Sequence, residues 1–314
     1  MSKQNKSLPT SFLIVFAKFV WKSLWLAMMS QLAPSEKGSY QRPSSQFRHQ
    51  INGDNNIYTS EVDRYCLYVG ISCPWAHRTL MVRVLKGLEN VIDVNIVIPS
   101  VNQGGWEMQK ISENCHNLRQ LYQLSQPDYK GRCTVPVLWD KKTKTIVNNE
   151  SAEIIVILNN QFNEYAKNPD LNLYPDEFKS EIDSWNEKIY HHVNNGVYRC
   201  GFAQTQEAYE EACLGLFTVL DEIEAHLTHN RYLCNHQLTL ADIRLFTTLI
   251  RFDAVYYTLF KCSLRSIESY PNLSRYMKDI DTLAGVKQTY DLKVIKKDYF
   301  GNLFPLNPSG IIPL

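Results

Sequence analysis

The spacing of apolar residues differs between three parts of the chain. Near the N-terminus one long apolar stretch, 12–33, has helical spacing and is followed by a polar, Ser-rich connection. Short β-branched and aromatic runs then alternate with helical segments, and from about Pro175 apolar residues recur every three or four positions nearly to the end. We therefore predict an arm with an amphipathic helix and a linker at 1–60, a mixed α/β domain at 61–170, and an all-α domain with a C-terminal tail at 171–314.

The α/β part opens with a strand–helix–strand unit. Residues 64–69 have the composition of a strand, Pro74 opens a helix that runs to about Lys86 with Gly87 as its stop, and the β-branched run 91–98 predicts a second strand. Because a helix connects these two strands, we expect them to pair in parallel.

The later elements follow from the same patterns. A long polar connection that contains Gly104-Gly105 comes next. Two further β runs flank a Lys-rich turn at 134–139 and 145–147, which predicts a hairpin, and a helix begins near Glu150-Ser151. The second half is predicted to form helices at 178–190, 207–227, 240–257 and 273–283.

Composition narrows the class of protein. The chain has 314 residues, with 18 Tyr and 13 Phe but only 13 Gly and 13 Pro, which excludes a disordered, collagen-like or low-complexity chain. Its formal net charge of +1 argues against nucleic-acid binding through a global basic field. Gly104-Gly105 lacks the spacing and the downstream acidic residue of a dinucleotide-binding loop, so we expect no nucleotide cofactor.

The balanced net charge conceals a basic arm. Residues 1–60 carry seven Lys or Arg and two acidic residues, a net charge of +5, which leaves −4 for the rest of the chain. Lys18 and Lys22 interrupt the apolar stretch too early for a membrane span or a secretion signal, and at helical spacing they share a stripe with Ser11. We expect the helix to pack on its own protein, with a weak contact to a membrane surface as the alternative.

Eight cysteines are spread along the chain without any Cys-x-x-Cys pair. This spacing favours reduced, mostly buried thiols in an intracellular protein, and we expect a cytoplasmic location. Glu222, His226 and His229 share one helix face at a spacing that metal ligands use, but no fourth ligand is in sight, so we expect no metal site.

Cys73 differs from the other cysteines by its position. It directly precedes Pro74 at a strand–helix junction, where unpaired backbone N–H groups and the helix macrodipole favour a thiolate nucleophile. His77 and Arg78 would add positive potential if they point toward it. Ala76 stands where a dithiol oxidoreductase has its second cysteine, so a mixed disulfide on Cys73 needs an external thiol to resolve it.

Two later motifs suit a peptide-like ligand. Val135-Pro136 precedes a strand, and a cis bond at such a proline leaves the preceding backbone free to pair with an extended ligand. Glu150-Ser151, at the start of the next helix, offers a carboxylate, a hydroxyl and backbone donors to the charged amino-acid end of that ligand.

The order of these motifs resembles the glutathione transferase superfamily. The resemblance implies a thioredoxin-like α/β N-terminal domain that binds glutathione and an all-α C-terminal domain that closes the site of the second substrate. Longer blocks narrow it to the glutathionyl-hydroquinone reductases, the Xi class. These blocks are CPWAHRTL at 73–80, GRCTVPVLWD at 131–140, IVNNES at 146–151, NNGVY at 194–198, ADIRLFTTLIRFD at 241–253 and NPSGIIP at 307–313.

The resemblance implies a two-step reduction with glutathione as co-substrate. The thiolate of Cys73 attacks the glutathione sulfur of an S-glutathionyl-hydroquinone, the hydroquinone leaves, and a second glutathione reduces the mixed disulfide and departs as oxidised glutathione. Tyr198 and Tyr299 are implied as phenols that face the hydroquinone, and a homodimer is implied as the assembly. The implied glutathione contacts are Trp106, Arg132, Val135, Glu150 and Ser151.

Two positions depart from the pattern of the class. Its usual His-Tyr-Tyr is DYF at 298–300 here, and its usual His-Phe-Lys-Cys is LFKC at 259–262. Asp298 therefore places a carboxylate beside the expected phenol, and Leu259 removes a polar side chain near the helical wall. The substrate preference stays open for this reason.

Two other functions remain as alternatives. An omega-like monothiol transferase or dehydroascorbate reductase also uses a cysteine at a helix start, although the paired tyrosines favour an aromatic substrate. A non-catalytic binding module with the same fold is the second, and the retained Cys73, Val135-Pro136 and Glu150-Ser151 argue against it.

Two patterns in the third predicted helix of the second domain are interpreted as structural. Thr239 and Asp242 have the spacing of a capping box, so Asp242 is expected to serve the fold rather than catalysis. Arg251 and Asp253 are expected to form a buried ion pair.

Overall fold

The structure is a computed structural model that describes residues 9–32, 35–36, 38–41, 44–53, 57–100, 105–304 and 306–314. Part of the basic arm that the charge pattern indicated, including Lys3, Lys6, Lys37 and Arg42, lies outside these ranges, as does Gly104. The strands are β1 (Ser35–Glu36), β2 (Ser39–Tyr40), β3 (Tyr65–Val69), β4 (Ile92–Ser100), β5 (Gly105–Ser112), β6 (Cys115–Asn117), β7 (Val137–Asp140) and β8 (Thr145–Asn148).

The helices begin before the sheet and dominate the second half of the chain. They are α1 (Thr10–Leu32), α2 (Pro74–Leu85), α3 (Leu118–Ser125), α4 (Ser151–Asn160), α5 (Lys179–Ile189), α6 (Gly196–Gly201), α7 (Gln206–His226), α8 (Leu240–Arg251), α9 (Tyr257–Leu259), α10 (Pro271–Asp281) and α11 (Leu292–Asn302). Wider π-helical turns, Tyr190–Asn194 and Phe252–Tyr256, connect α5 to α6 and α8 to α9.

A mixed sheet forms the centre of the α/β domain. In the described part of the chain its strand order is β6-β5-β4-β3-β7-β8, with β3 and β4 parallel and the other neighbours antiparallel. Leu67 of β3 pairs with Val94 on one side and Leu138 on the other, and every residue of β3 is buried, as expected for a central strand. The predicted fold class, the parallel strand–helix–strand unit and the hairpin are confirmed.

Local signals set the ends of α2. Pro74 occupies its first turn, where the missing N–H costs nothing, and Gly87 follows its end with a φ of +67°. A Cβ at Gly87 would lie 2.6 Å from the side chain of Lys167, so both the conformation and the close approach favour glycine there.

Two regions contain more structure than the apolar pattern predicts. The polar connection after β4 forms β5, β6 and α3, and the C-terminal tail contains α11. Most residues of β5 are exposed and its pairing with β6 is irregular, so no two-residue apolar period marks it in the sequence.

Arg251 joins the helical domain to the segment that precedes Cys73. The guanidinium donates to four neutral acceptors, which are the carbonyl oxygens of Ile71 (3.0 Å), Ser72 (3.1 Å) and Thr247 (2.8 Å) and Nδ1 of His77 (2.9 Å). Two of these acceptors lie in the loop before α2, and His77 lies within α2 itself. One buried side chain of the second domain therefore fixes the loop that carries the thiol.

The predicted ion pair between Arg251 and Asp253 is wrong. Asp253 is exposed, and its carboxylate accepts hydrogen bonds from the backbone N–H groups of Ile267 (2.8 Å) and Glu268 (3.0 Å). Residues two positions apart along a helical segment point to different sides, so these two side chains serve different neighbours.

Most of α1 is exposed. The side chains of residues 10–24 are all exposed, whereas Met29 near its C-terminal end is buried. The expectation that this helix packs on its own protein is therefore wrong for residues 10–24. By length and composition Thr10–Met29 is apolar enough to cross a membrane, with a mean hydropathy of 1.6, although Lys18 and Lys22 led us not to expect a span.

The capping box at the start of α8 is confirmed and buried. Oδ2 of Asp242 accepts from the backbone N–H of Thr239 (2.7 Å), and Oδ1 accepts from the N–H of Leu233 (2.9 Å) and the hydroxyl of Tyr276 (3.0 Å). Burial raises the pKa of Asp242 to about 6. Since this pKa exceeds that of an unfolded carboxyl, the contribution of the proton to stability is full below about pH 4 and is lost as pH rises through about 6.

We predict that Asp242→Ala lowers the free energy of unfolding by about 3 kcal/mol, because four buried donors, the N–H and hydroxyl of Thr239, the N–H of Leu233 and the hydroxyl of Tyr276, lose their acceptor. The variant should also lack the decline in stability that the wild type shows between about pH 4 and 6. Denaturant unfolding at several pH values measures both effects. Asp253→Ala, which removes an exposed acceptor, is the control and should cost about 1 kcal/mol or less. Equal losses in the two variants would contradict the assignment.

Candidate active site

Cys73 lies at the N-cap of α2, where the sequence placed it. Its backbone is extended (φ −78°, ψ 118°), its side chain makes no capping hydrogen bond, and Pro74 occupies the first turn. The side chain is partly exposed, and Sγ lies 3.7 Å from the carbonyl oxygen of Val135, to which the thiol donates. The thiol therefore faces the Val135-Pro136 segment, whose peptide bond is cis.

The other seven thiols are buried, and all eight lie within the described ranges. Burial raises the pKa of Cys66 and of Cys234 to about 12, and it also raises the pKa of Cys133. Since a thiol must lose its proton and be reached by its partner to react, Cys73 has the more favourable position for exchange.

Six of the predicted site residues line one cavity of about 500 Å³: Cys73, Trp106, Arg132, Val135, Tyr198 and Tyr299. The thiol and Val135 come from the α/β domain, whereas the two tyrosines come from α6 and α11. The cavity is thus a junction between the two predicted domains, with a thiol on one side and phenols on the other.

The two phenols are in direct contact. The hydroxyls of Tyr198 and Tyr299 lie 2.6 Å apart, and the hydroxyl of Tyr256 lies 3.2 Å from that of Tyr299. Burial, followed by the neighbouring tyrosines, raises the pKa of Tyr198 and of Tyr299 well above the ordinary value. Both groups therefore keep their protons at neutral pH and can donate to a ligand in the cavity.

Trp106 on β5 lies directly over the loop before Cys73. A Cβ added to Gly70 would lie 2.4 Å from the Trp106 ring, so glycine at position 70 allows the indole to approach this backbone. Arg132 also lines the cavity and is exposed, and its carbonyl oxygen accepts from the Tyr129 hydroxyl at 2.8 Å.

Glu150 and Ser151 lie just outside this cavity. Glu150 caps α4, because its Oε1 accepts from the N–H of Ala152 (3.1 Å) while Oε2 accepts from the hydroxyl of Ser45 (2.9 Å). Ser151 is buried, and its Oγ accepts from Arg78 at 3.3 Å. A second cavity of about 280 Å³ lies beside Ser45 and shares Arg132 and Thr134 with the first, so Glu150 borders an extension of the site.

His77 does not add positive potential near the thiol. The imidazole is buried in the interior, where Nδ1 accepts from Arg251 and Nε2 donates to the hydroxyl of Thr289 (2.8 Å). Burial, together with the charge of Arg251, lowers the pKa of His77 well below its ordinary value, so the ring is neutral. Arg78 is also buried, with its guanidinium over the ring of Trp75 and bonded to Asn194 Oδ1 at 2.5 Å.

Sequence reasoning missed several residues of the lining. Arg119, on α3, and Met29 and Tyr40, from the N-terminal arm, line the same cavity as Cys73. Arg119 belongs to an element that the apolar pattern did not predict. Met29 and Tyr40 lie in the arm, and only the folded chain shows that the arm reaches the site.

The two departures from the class pattern have different positions. Asp298 lines the cavity, bonds with the Ser72 side chain and is half-buried, and burial raises the pKa of its carboxyl. Leu259 is buried and is not among the lining residues. The carboxyl of Asp298 is therefore the departure that a ligand would meet.

Two members of the Glu222, His226 and His229 group at the end of α7 bond to other protein groups. Glu222 pairs with Lys188, and Nε2 of His226 is 3.0 Å from the carbonyl oxygen of Leu233. Among the residues that the structure describes, no group of three or more His, Cys, Asp or Glu side chains is arranged to hold a metal ion.

The fold and the site together define a glutathione transferase with a cysteine at the start of the first domain's helix. A glutathione S-transferase N-terminal domain matches residues 72–161, and a glutathione S-transferase C-terminal domain matches residues 206–279. The chain therefore belongs to the glutathione S-transferase family.

Comparison with individual relatives assigns the chain to one class within this family. It is 44% identical to glutathionyl-hydroquinone reductase PcpF of Sphingobium chlorophenolicum over 302 residues, with 94% of each chain covered. The glutathione transferase Xi of Phanerochaete chrysosporium superposes with a TM-score of 0.85 at 46% identity, over 89% of this chain and 93% of that one. The glutathione-bound structure of YqjG from Escherichia coli gives a TM-score of 0.81 at 44% identity, over 85% and 92%. The chain is thus a member of the glutathionyl-hydroquinone reductases, the Xi class of this enzyme family.

We predict that Cys73 is the thiol that reacts fastest in the folded protein, at least about tenfold faster than any other, because the other seven are buried. Timed labelling with N-ethylmaleimide, followed by peptide mass spectrometry, measures the rates. Cys133→Ser is the matched control, since Cys133 lines the same cavity but is buried, and this variant should label like the wild type. Fast labelling that persists in Cys73→Ser would reject the assignment.

Proposed function

We propose that the protein reduces S-glutathionyl-hydroquinones to hydroquinones with glutathione, through a mixed disulfide on Cys73. The observation that carries this proposal is the single cavity in which a partly exposed helix-start thiol faces two protonated phenols. The relative PcpF, 44% identical over nearly the whole chain, carries the name of this activity.

In the first step the thiolate of Cys73 attacks the glutathione sulfur that is bonded to the aromatic ring. A sulfur–sulfur bond forms to Cys73, the carbon–sulfur bond breaks, and the ring carbon keeps the electron pair and takes up a proton. The paired phenols of Tyr198 and Tyr299, which line the same cavity as the thiol, supply hydrogen bonds and a proton. The carbon is thereby reduced, and the cysteine and glutathione sulfurs are oxidised.

In the second step a second glutathione thiolate attacks the glutathione sulfur of the mixed disulfide. Oxidised glutathione leaves, and the Cys73 thiolate is regenerated. Ala76, where a dithiol enzyme has its second cysteine, is buried and has no thiol, which supports resolution by an external thiol. The macrodipole of α2 favours the Cys73 thiolate in both steps.

The glutathione moiety is proposed to lie along the α/β side of the cavity. Val135 offers its backbone groups to the peptide, and Arg132, with Arg119 nearby in the lining, offers guanidinium groups to the carboxylates. Trp106 supplies an aromatic face and an N–H donor. Glu150 keeps lone pairs beyond its two present hydrogen bonds, and with Ser151 it is proposed to bind the amino-acid end.

Asp298 is proposed to affect which hydroquinones are accepted. Its carboxyl lies in the cavity lining next to Tyr299, so an anionic substituent on the ring would meet like charge there once the carboxyl is ionised. Neutral, apolar hydroquinones suit this wall better than carboxylated ones.

An omega-like monothiol transferase or dehydroascorbate reductase is the second candidate, because Cys73 without a second thiol would serve either chemistry. The phenol pair favours the aromatic substrate. Assays with dehydroascorbate and with a glutathionyl-hydroquinone separate the two, and faster turnover of dehydroascorbate would favour the alternative.

We also propose a homodimer in a reducing, cytoplasmic environment, with an arm at 1–60, a glutathione-binding domain at 61–170 and a helical domain at 171–314. The consumption of glutathione in the second step supports a reducing compartment. Size-exclusion chromatography with light scattering tests the dimer.

We predict that Cys73→Ser lowers kcat/KM for glutathionyl-menadiol by about 10³-fold or more, because the nucleophile of the first step is lost. Cys133→Ser should keep most of the activity, since this buried thiol takes no part. Substrate added to wild-type protein without free glutathione should leave one glutathione on Cys73, as mass spectrometry would show. Equal turnover by the wild type and Cys73→Ser would refute the mechanism.

We predict that Tyr198→Phe and Tyr299→Phe each lower kcat by about tenfold to a hundredfold, because a proton donor to the leaving group is lost. The KM for glutathione should stay within about twofold, since neither phenol faces the glutathione side. Tyr256→Phe removes a phenol of the same network that is not in the lining, and its effect should be smaller. Steady-state kinetics measure these values, and a larger loss in Tyr256→Phe would contradict the roles given to the pair.

A further inference from the structure

Exposed apolar side chains are concentrated at the two ends of the described chain, beside the cavity. On α1 they include Phe12, Phe16 and Phe19, and in the C-terminal tail they include Phe304 and Ile311. The two groups are adjacent, because the rings of Trp21 and Phe304 meet edge to face with centroids 6.2 Å apart. We call these exposed apolar side chains of 12–26 and 304–314 the terminal patch.

The helix in this patch has two sides. At about 100° per residue, Lys18 and Lys22 share one stripe, while Phe16, Val20 and Leu24 lie on the opposite side. Met29 falls in the lysine stripe, two to three turns further along, and it is buried against the protein. The phenylalanine side of α1 therefore faces away from the body of the molecule.

The C-terminal end of α1 belongs to the wall of the cavity. Met29 packs with Tyr40 and with the partly buried Trp25, Tyr198 and Phe202, and both Met29 and Tyr40 line the cavity. Leu303 and Leu306, next to Phe304, line it too. The terminal patch is therefore continuous with the wall of the cavity.

We propose that α1 lies in the surface of an anionic phospholipid bilayer and holds the opening of the Cys73 cavity there, so that the enzyme takes apolar S-glutathionyl-hydroquinones from the membrane. Phe16, Val20 and Leu24 enter the acyl region, and Lys18 and Lys22 lie among the headgroups. The substrate part of this proposal rests on the proposed function, whereas the membrane part does not.

Charge and geometry favour the surface of a bilayer as the surroundings of α1 over a transmembrane position or a contact with a second copy of the chain. A membrane-spanning α1 would place Lys18 and Lys22 near the bilayer centre, where ammonium groups are poorly tolerated, whereas a helix in the surface leaves them in the headgroups. A second copy of the chain on the same face would bring two arms of net charge +5 together. Anionic headgroups complement that charge.

Co-sedimentation of the full chain with vesicles tests the membrane part. Vesicles of phosphatidylcholine with 30% phosphatidylserine should bind the wild type about tenfold more tightly than phosphatidylcholine alone, and added salt should weaken the binding. Phe16→Ser should weaken binding at least about fivefold. Ile14→Ser is the matched control, because Ile14 is exposed to a similar extent (50% against 58%) but lies near the lysine stripe, and it should bind like the wild type.

The membrane part would be overturned if the protein did not bind phosphatidylserine vesicles, or if Phe16→Ser and Ile14→Ser weakened vesicle binding equally. A change of oligomeric state in Phe16→Ser would also overturn it, because it would assign this face of α1 to a second copy of the chain. Lys18→Gln with Lys22→Gln should weaken the preference for phosphatidylserine, because the net charge of the arm falls from +5 to +3. A preference that this double substitution leaves unchanged would also count against the proposal.

Activity tests the substrate part. In phosphatidylserine vesicles, a glutathionyl-hydroquinone with a long alkyl chain should be turned over several-fold faster by the wild type than by Phe16→Ser, while glutathionyl-menadiol in buffer should show no difference. Equal rates with the alkyl substrate would overturn the substrate part. Vesicle binding with no turnover of either conjugate would refute the proposed function and leave the membrane part standing.

Discussion

The arrangement of the site depends on the buried guanidinium of Arg251. It belongs to the helical domain, yet it donates to the backbone of Ile71 and Ser72 and to His77, which flank Cys73 on both sides. All of its acceptors named above are neutral, so the charge is compensated by dipoles rather than by a carboxylate. Without these bonds, two carbonyl groups of the thiol loop would lose their donor, and the two domains would lose a fixed contact beside the cavity.

The hydrogen bonds of Arg251 hold the loop that presents the partly exposed thiol of Cys73 at the N-terminus of α2. Arg251 donates hydrogen bonds to the loop before α2. The ring of Trp106 lies against Gly70 of the same loop, too close for any side chain at position 70. His77 is hydrogen-bonded to Arg251 in the same network and stays neutral. The ring of His77 therefore adds no charge beside Cys73, whereas the backbone N–H groups at the start of α2 favour a thiolate there.

The two sides of the cavity provide different chemistry. The α/β side lines the cavity with backbone groups and arginines, whereas the helical side lines it with phenols whose burial keeps them protonated. Tyr256 supports the pair from behind through Tyr299. Met29 of the N-terminal arm, with Leu303 and Leu306 near the C-terminal end, completes the apolar part of the wall, and Asp298 lines the same cavity.

Much of the fold could be predicted from the sequence, because helix ends and caps are set by contacts between residues a few positions apart. Pro74 and Gly87 delimit α2, and Thr239 with Asp242 opens α8, through contacts within a few residues. β5 escaped prediction because it is largely exposed and carries no apolar period. α3, which carries Arg119, has buried apolar residues at helical spacing (Leu118, Leu121 and Tyr122), but it spans only eight residues and was missed within the polar connection.

By itself the sequence determined the strand–helix order, the all-α second half, the helix-start position of Cys73 without a partner thiol, and the family. Only the tertiary structure decided the partners of Arg251, the neutrality of His77, the contact between Tyr198 and Tyr299, and the exposure of α1. The reason is sequence separation: a cap or a turn is set by residues a few positions apart, whereas the two phenols are 101 residues apart and meet only when both domains are packed.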